Sequence, residues 1–397
     1  MATATPDPLL TDLAPSSSLV SAEPPPPALR RIARGLATSG RAMASAAEWV
    51  FGALALVVGL AVLAAIPVAQ LLCLGYLLEA GGRVARSGRL RDGLVGVRLS
   101  ARLGGMAIGI LLWTLPIQLF ASMARSAAVI DPGGPIAARW RVASFVVLAL
   151  TAAHLTIALA RGGRLRHFLW PFGAIGWLRR NRDLGRVYRR CRDDCLAFAS
   201  RLRLPYYARL GLLGFLGTLA WLVLPATLLA AGRSAPLLGL IGALLLGGVA
   251  MVLPFLQMHF AVEGRLRAFR ELRPVRDRFR RAPWAFALAL TLTATLAVPL
   301  YLLKIEMIPR EAVWLPSLVF LTFTFPARLA AGWAYHRSSR RDRPRHWVFR
   351  ASGRLWMLPI AALYVLFVFL SQFAAWRGAW SLYEQHAFLL PVPFIGL

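Results

Sequence analysis

His259 and Glu263 stand four residues apart, a spacing that places both side chains on one face of a helix. An imidazole beside a carboxylate can relay protons or give two ligands to a metal ion. Cys191 and Cys195 share that spacing, with Arg192, Asp193 and Asp194 between them. Two thiols are half of a zinc site, and the flanking residues do not complete it. His154, beside Thr151 and Thr156, lies inside one apolar run, and Gln118 lies inside another. Polar groups so placed either line a path through a membrane or hydrogen-bond one helix to the next. The chain holds no His-Glu-x-x-His run, no Gly-x-Ser-x-Gly elbow and no phosphate-binding loop. No catalytic, cofactor-binding or metal-ligating set is assigned, and no cofactor is expected.

The elements that must position these residues are apolar runs. Of 397 residues 58% are apolar and 16% charged, against about 45–50% and 25% in soluble domains. That balance excludes a soluble enzyme, a disordered chain and a disulfide scaffold. Eight runs recur, at 49–78, 103–124, 142–160, 210–231, 236–262, 284–303, 312–333 and 355–375. Each is long enough, or nearly so, to cross about 30 Å of hydrocarbon at about 1.5 Å per helical residue. Lipid offers no partner to unpaired backbone groups, so such runs are helices. The expected fold class is all-α, a polytopic transmembrane helical bundle of about eight apolar segments.

Around the bundle, 49–379, the sequence predicts three lesser parts. Residues 1–29 read as a flexible Pro-rich tail. Residues 30–48 carry Arg30, Arg31, Arg34 and Arg41 and read either as an amphipathic surface helix or as a plain basic flank. Residues 380–397 form an apolar outer tail that is too short to cross. The longest loop, 161–209, is too small for a core of its own. The loop 304–311 alternates in sign and reads as a local salt-bridged turn.

Lys and Arg number 46 against 17 Asp and Glu, a net charge of +29. Their distribution explains the excess. Stretches 80–102, 161–209, 263–283 and 334–354 hold 34 arginines, while the intervening connections and the C-terminal tail hold 7 basic residues. The first set is therefore expected in the cytoplasm and the C-terminus outside. Orientation accounts for the charge, so nucleic acid is not an expected partner. The expected partners are the lipid bilayer and anionic lipid headgroups, met by Arg186, Arg189, Arg190 and Arg192. No residue pattern identifies a protein partner. Arg328, inside the seventh run, is expected to snorkel to the inner interface.

The first run conflicts with this orientation. Crossing once, residues 49–78 would put the N-terminal arginines outside; with the tail inside, the run must break and return, and Pro67 is the natural break. Apolar length without a turn signal favours one helix.

Gly-Arg-Leu-Arg occurs three times, at 88–91, 163–166 and 264–267, each just past the cytoplasmic end of a run. Duplicated helical hairpins would produce this. So would glycines that end helices beside arginines that mark the inner face, and the unequal spacings fit that account.

The run ending in Gly75-Tyr76-Leu77-Leu78-Glu79, followed by basic residues at Arg83, Arg86 and Arg91-Asp92-Gly93, resembles a domain-of-unknown-function family of bacterial polytopic membrane proteins. That family places a Pro-Trp-acidic segment after the basic helix, and residues 90–93 depart from it. The resemblance covers about a tenth of the chain. It implies a bacterial inner-membrane location and transfers no activity or site residue. Two function classes follow: a non-catalytic scaffold that docks lipid or a partner through its basic face, and a transporter with a small-molecule site between helices.

Overall fold

A helix inside lipid satisfies its own backbone, so its neighbours are chosen by side-chain shape and by the few polar groups it carries. The computed structural model describes residues 28–66, 68–180, 183–302 and 314–374, with Gly378 and Leu382. The Pro-rich tail before 28, the loop 304–311 and the outer tail apart from Leu382 lie outside the described residues. Every described element is helical: α1 Ala28–Ala65, α2 Gln70–Ser87, α3 Val97–Ile130, α4 Pro135–Ala160, α5 Leu165–Leu169, α6 Phe172–Arg180, α7 Leu184–Leu202, α8 Leu204–Ala231, α9 Pro236–Glu263, α10 Leu272–Arg281, α11 Pro283–Leu302, α12 Trp314–Ser339 and α13 Trp347–Ala374. Two 3-10 turns, Leu90–Gly93 and Leu266–Arg270, join them. The chain divides into a unit up to Ala47, helical where described, and a unit from Glu48 onward. Among the described residues seven helices are long and apolar enough to cross a membrane, and α10 with α11, bent by 107° at their junction, make an eighth candidate when taken together. The protein is an all-α polytopic helical bundle.

The first apolar run is not one helix. α1 ends at Ala65, Val68 takes a left-handed φ of 69°, and α2 starts at Gln70. A proline at 67 cannot donate an i→i−4 bond, so its sequence position already opposes a continuous helix. The break frees α2 to take its own place. From Cys73 to Ala85 all of its residues but Arg83 are buried. Its glycines let neighbouring backbones come close: a Cβ on Gly75 would overlap the Tyr207 carbonyl of α8, and one on Gly211 would overlap the Leu71 carbonyl. These pairings run in opposite directions along the two helices. Against α12 the order is the same on both, Gly81 beside Gly332 and Ala85 beside His336. Gly81 and Gly82 likewise meet Met258 and Ala261 of α9 in parallel order. α2 is thus antiparallel to α8 and parallel to α9 and α12.

The three Gly-Arg-Leu-Arg copies share one backbone path. Gly88, Gly163 and Gly264 are left-handed, with φ of 74°, 61° and 70°. The next residue is extended, and Leu90, Leu165 or Leu266 then starts a single helical turn. Two copies go further. Five residues past the glycine, Phe168 and Phe269 are buried, their rings filling the space a Cβ would need on Gly109 of α3 and Gly217 of α8. Four residues on, Trp113 and Trp221 donate their indole N–H to the Phe168 and Phe269 carbonyls, at 2.8 and 3.1 Å. The hairpin α3–α4 with α5 and the hairpin α8–α9 with its 3-10 turn repeat one arrangement. Glycine capping alone would explain the first residue of the motif but not the phenylalanine and tryptophan that follow. In the copy at Gly88 the aromatic position is Gly93, which packs against Leu329.

Candidate functional site

Three polar groups cluster where α2, α8, α9 and α12 meet. The first is on α2. Glu79, only 3% exposed, accepts from Arg83 Nε at 2.8 Å, Arg86 Nη2 at 3.2 Å and Tyr206 Oη at 2.8 Å. Arg86 also donates to the Ala261 carbonyl at 3.1 Å. One carboxylate therefore ties three helices together. The spacing of Glu79, Arg83 and Arg86 keeps all three on one side of α2, and Tyr206 at the start of α8 completes the set. In the sequence Glu79 stands out only as a lone acid ending an apolar run, with basic residues four and seven further on.

The second group is a chain through the core. Gln257 Nε2 donates to Thr218 Oγ1 at 2.7 Å, and Arg328 Nη1 donates to Gln257 Oε1. Arg328 does not snorkel: it is 3% exposed and engaged inside the bundle. The reason is steric. Its stretch of α12 packs against α2, with Phe325, Ala327 and Ala331 all buried, so the stem has no open route to the interface.

The third group joins His259 to residues other than Glu263. His259 lies between Tyr335 Oη, 2.8 Å from Nδ1, and Glu271 Oε2, 3.0 Å from Nε2. A carboxylate only accepts, so Nε2 carries a proton; in the neutral ring Nδ1 accepts from the tyrosine. Glu263 instead pairs with Arg265 at 2.8 Å. The left-handed Gly264 reverses the chain at the end of α9, and the 3-10 turn carries Glu271 back onto His259. The hydrogen bond from His259 holds the Glu271 carboxyl below its ordinary value, and Arg265 and Arg267 act in the same direction. The Arg278 guanidinium covers the Tyr335 ring at 4.0 Å.

The remaining candidates are apart from these groups. His154 is buried, with Nε2 3.0 Å from the Phe168 carbonyl and its ring 4.4 Å from that of Trp113. A carbonyl only accepts, so His154 donates and becomes part of the α3–α4–α5 latch. Gln118 is on an exposed face of α3. Cys191 touches the Ala160 carbonyl at 4.0 Å, Cys195 is exposed and Cys73 is buried. Among the described residues no three His, Cys, Asp or Glu side chains gather closely enough to hold a metal ion.

The basic surface is built on two short helices. On α7, Arg186, Arg189, Arg190 and Arg192 are all exposed. Asp183 pairs with Arg186 at 3.4 Å and Asp193 with Arg192 at 2.9 Å, while no ion pair is found for Arg189 or Arg190 among the described residues. Apolar length in the sequence does not mark α10. Its Val275 and Phe279 are buried in the bundle, Arg273 and Arg276 are exposed, and it turns 107° from α11. Comparison of the chain with family models, with curated proteins and with solved structures finds no match. Glu79, Gln257, Arg328 and His259 engage polar groups on other helices or turns, and the exposed charge is overwhelmingly arginine.

Proposed function

We propose that this membrane protein is a non-catalytic scaffold that holds a basic surface against anionic lipid headgroups. The observation that carries this reading is the 107° turn between α10 and the apolar helix α11 that follows it; on this reading α10 lies along the bilayer surface. Val275 and Phe279 anchor it, and its exposed arginines project at headgroup level. The four α7 arginines are exposed as well, with two of them partly neutralised by aspartates. A transporter would place an open polar site between helices. Here Glu79, Arg328 and His259 are engaged with partners on neighbouring helices, which supports the scaffold reading.

Changing Arg273, Arg276, Arg280 and Arg281 together to Gln should weaken retention of acidic lipid by the purified protein. At about 1 kcal/mol per arginine near a negative surface, the loss is a few kcal/mol at low salt and fades as salt is raised. The quadruple Gln variant at Arg186, Arg189, Arg190 and Arg192 should lose less. Unchanged retention in both variants, at low and high salt, would leave the arginines with orientation as their only role.

The location that goes with this reading is the bacterial inner membrane, with arginine-rich loops in the cytoplasm and the C-terminus outside. On this reading α1 enters the bilayer and α2, parallel to α9 and α12 but not among the helices apolar enough to cross alone, returns, so that the N-terminal tail lies inside and the arginine distribution no longer conflicts. In a background lacking Cys73, Cys191 and Cys195, a cysteine at Ser234 should react with an impermeant thiol reagent added to intact cells. Cysteines at Ser87 and Ser339 should not, and labelling at Ser339 would invert the topology.

A further inference from the structure

A furrow follows the outer seam between α9 and α13. At one end is a pocket of about 480 Å³ among α9, α10, α11 and α13; it continues into a second of about 650 Å³. Met251 and Leu358 line both, so the space is continuous. Its floor is made of small residues, Gly239, Ala243 and Gly247 of α9 with Ala361 and Ala362 of α13. Its rims include the exposed Leu240, Leu244 and Leu366, so it opens sideways toward lipid. From Arg354 to Phe369 along α13 it extends about 22 Å at about 1.5 Å per residue. One leaflet of hydrocarbon is about 15 Å deep, so an acyl chain fits within that length.

The two ends differ in charge. Arg273 and Arg276 of α10 and Arg354 of α13 frame the first pocket, all three exposed. Among the described residues no acid lines either pocket. Arg354 is steadied over the Phe279 ring at 5.6 Å. We propose that this furrow binds one anionic phospholipid, with its phosphate among Arg273, Arg276 and Arg354 and an acyl chain on the α9–α13 floor. The proposal rests on the lipid-facing reading of the basic surface and gives it a defined site. Guanidinium forks match phosphate oxygens in pairs, which favours a phospholipid over an apolar occupant.

The test is native mass spectrometry of the intact protein released from bilayers of phosphatidylglycerol and phosphatidylcholine in equal amounts. The wild type should keep one phosphatidylglycerol in preference. The triple variant R273Q/R276Q/R354Q should lower that retention roughly a hundredfold at low salt, at about fivefold for each arginine. Gly248 lines the furrow, and a Cβ there meets nothing within 4 Å, so Gly248→Phe should fold and block the chain's path with every charge in place. Retention should fall in Gly248→Phe while its thermal unfolding stays that of the wild type. Wild-type retention in Gly248→Phe, alongside loss in the arginine variant, would overturn the furrow and leave the surface reading standing. Retention unaffected by any arginine change would sink both. Equal retention of the two lipids would overturn the headgroup assignment, and a dimer linked through cysteine at Gly248 would assign the furrow to a second copy.

Discussion

The hairpins α3–α4 and α8–α9 carry the same latch and live in different surroundings. In both, a left-handed glycine, an extended arginine and a one-turn helix bring a phenylalanine onto a glycine of the hairpin's first helix, and a tryptophan N–H of that helix binds its carbonyl. α8–α9 is embedded: it meets α2, the turn behind Phe269 leads to Glu271, and Gln257 and His259 reach Thr218, Arg328 and Tyr335. α3–α4 presents Leu111, Leu115, Leu119, Phe145 and Leu150 outward, all exposed. In lipid such exposure costs nothing, because hydrocarbon is as apolar as leucine. Local sequence builds the latch; the small and polar residues on the outer faces decide which copy is drawn into the core.

The largest effect expected from this contrast comes from filling the space beneath the aromatic rings. Gly217→Leu forces the Phe269 ring out, and Gly109→Leu does the same to Phe168. Overpacking of this kind costs about 1–3 kcal/mol. In the embedded copy the displaced turn also pulls Glu271 from His259, so Gly217→Leu should lower the thermal midpoint of detergent-solubilised protein more than Gly109→Leu. Equal shifts would show that the embedding adds nothing to the latch.

Much of this architecture is readable from the chain. Apolar length against the thickness of hydrocarbon gives the helical bundle, and Pro67 marks the break that separates α1 from α2. Length alone favours one helix there because the apolar run continues across the proline, and only the fit of Gly75 against Gly211 shows where the second half belongs. The Gly-Arg-Leu-Arg copies are visible, but Trp113 and Trp221 lie 55 and 48 residues from the carbonyls they bind, beyond any local pattern. His259 illustrates the same limit. Helical spacing offers Glu263, while the true partner arrives through a chain reversal. α10 was legible: Leu272, Val275 and Phe279 recur at helical spacing among arginines, the mark of an interfacial helix.

A middle-sized effect separates the two tryptophans. The Phe168 carbonyl has two donors, Trp113 and His154, whereas the side chain on the Phe269 carbonyl is Trp221. Trp113→Phe leaves that carbonyl satisfied and should cost about 1 kcal/mol, the net worth of one hydrogen bond. Trp221→Phe strands a buried acceptor and should cost about 1–3 kcal/mol. The double change Trp113→Phe with His154→Phe should bring the first hairpin to the level of the second. If Trp113→Phe alone already costs as much as Trp221→Phe, His154 is not sharing the carbonyl.

The smallest effect should appear in acid and in one hairpin only. Glu271 has its carboxyl held below the ordinary value of 4.5, first by the hydrogen bond from His259 and then by Arg265 and Arg267. A carboxyl depressed on folding contributes stability that is present above its unfolded pKa and disappears as pH falls through its folded pKa. The window therefore opens just below pH 4.5 and extends downward, since in that range the unfolded chain takes up the proton before the folded one does. Glu271→Gln keeps the size of the side chain and removes the titration. Its thermal midpoint should sit slightly below the wild type at neutral pH and fall less steeply between pH 5 and pH 3 by about the amount that Glu271 contributes. The α3–α4 hairpin offers the control: its latch joins His154 to a carbonyl with no carboxylate, so His154→Gln should leave the slope in that acid range unchanged. A slope altered equally by both substitutions would detach the acid response from Glu271 and from the chain reversal that brings it to His259.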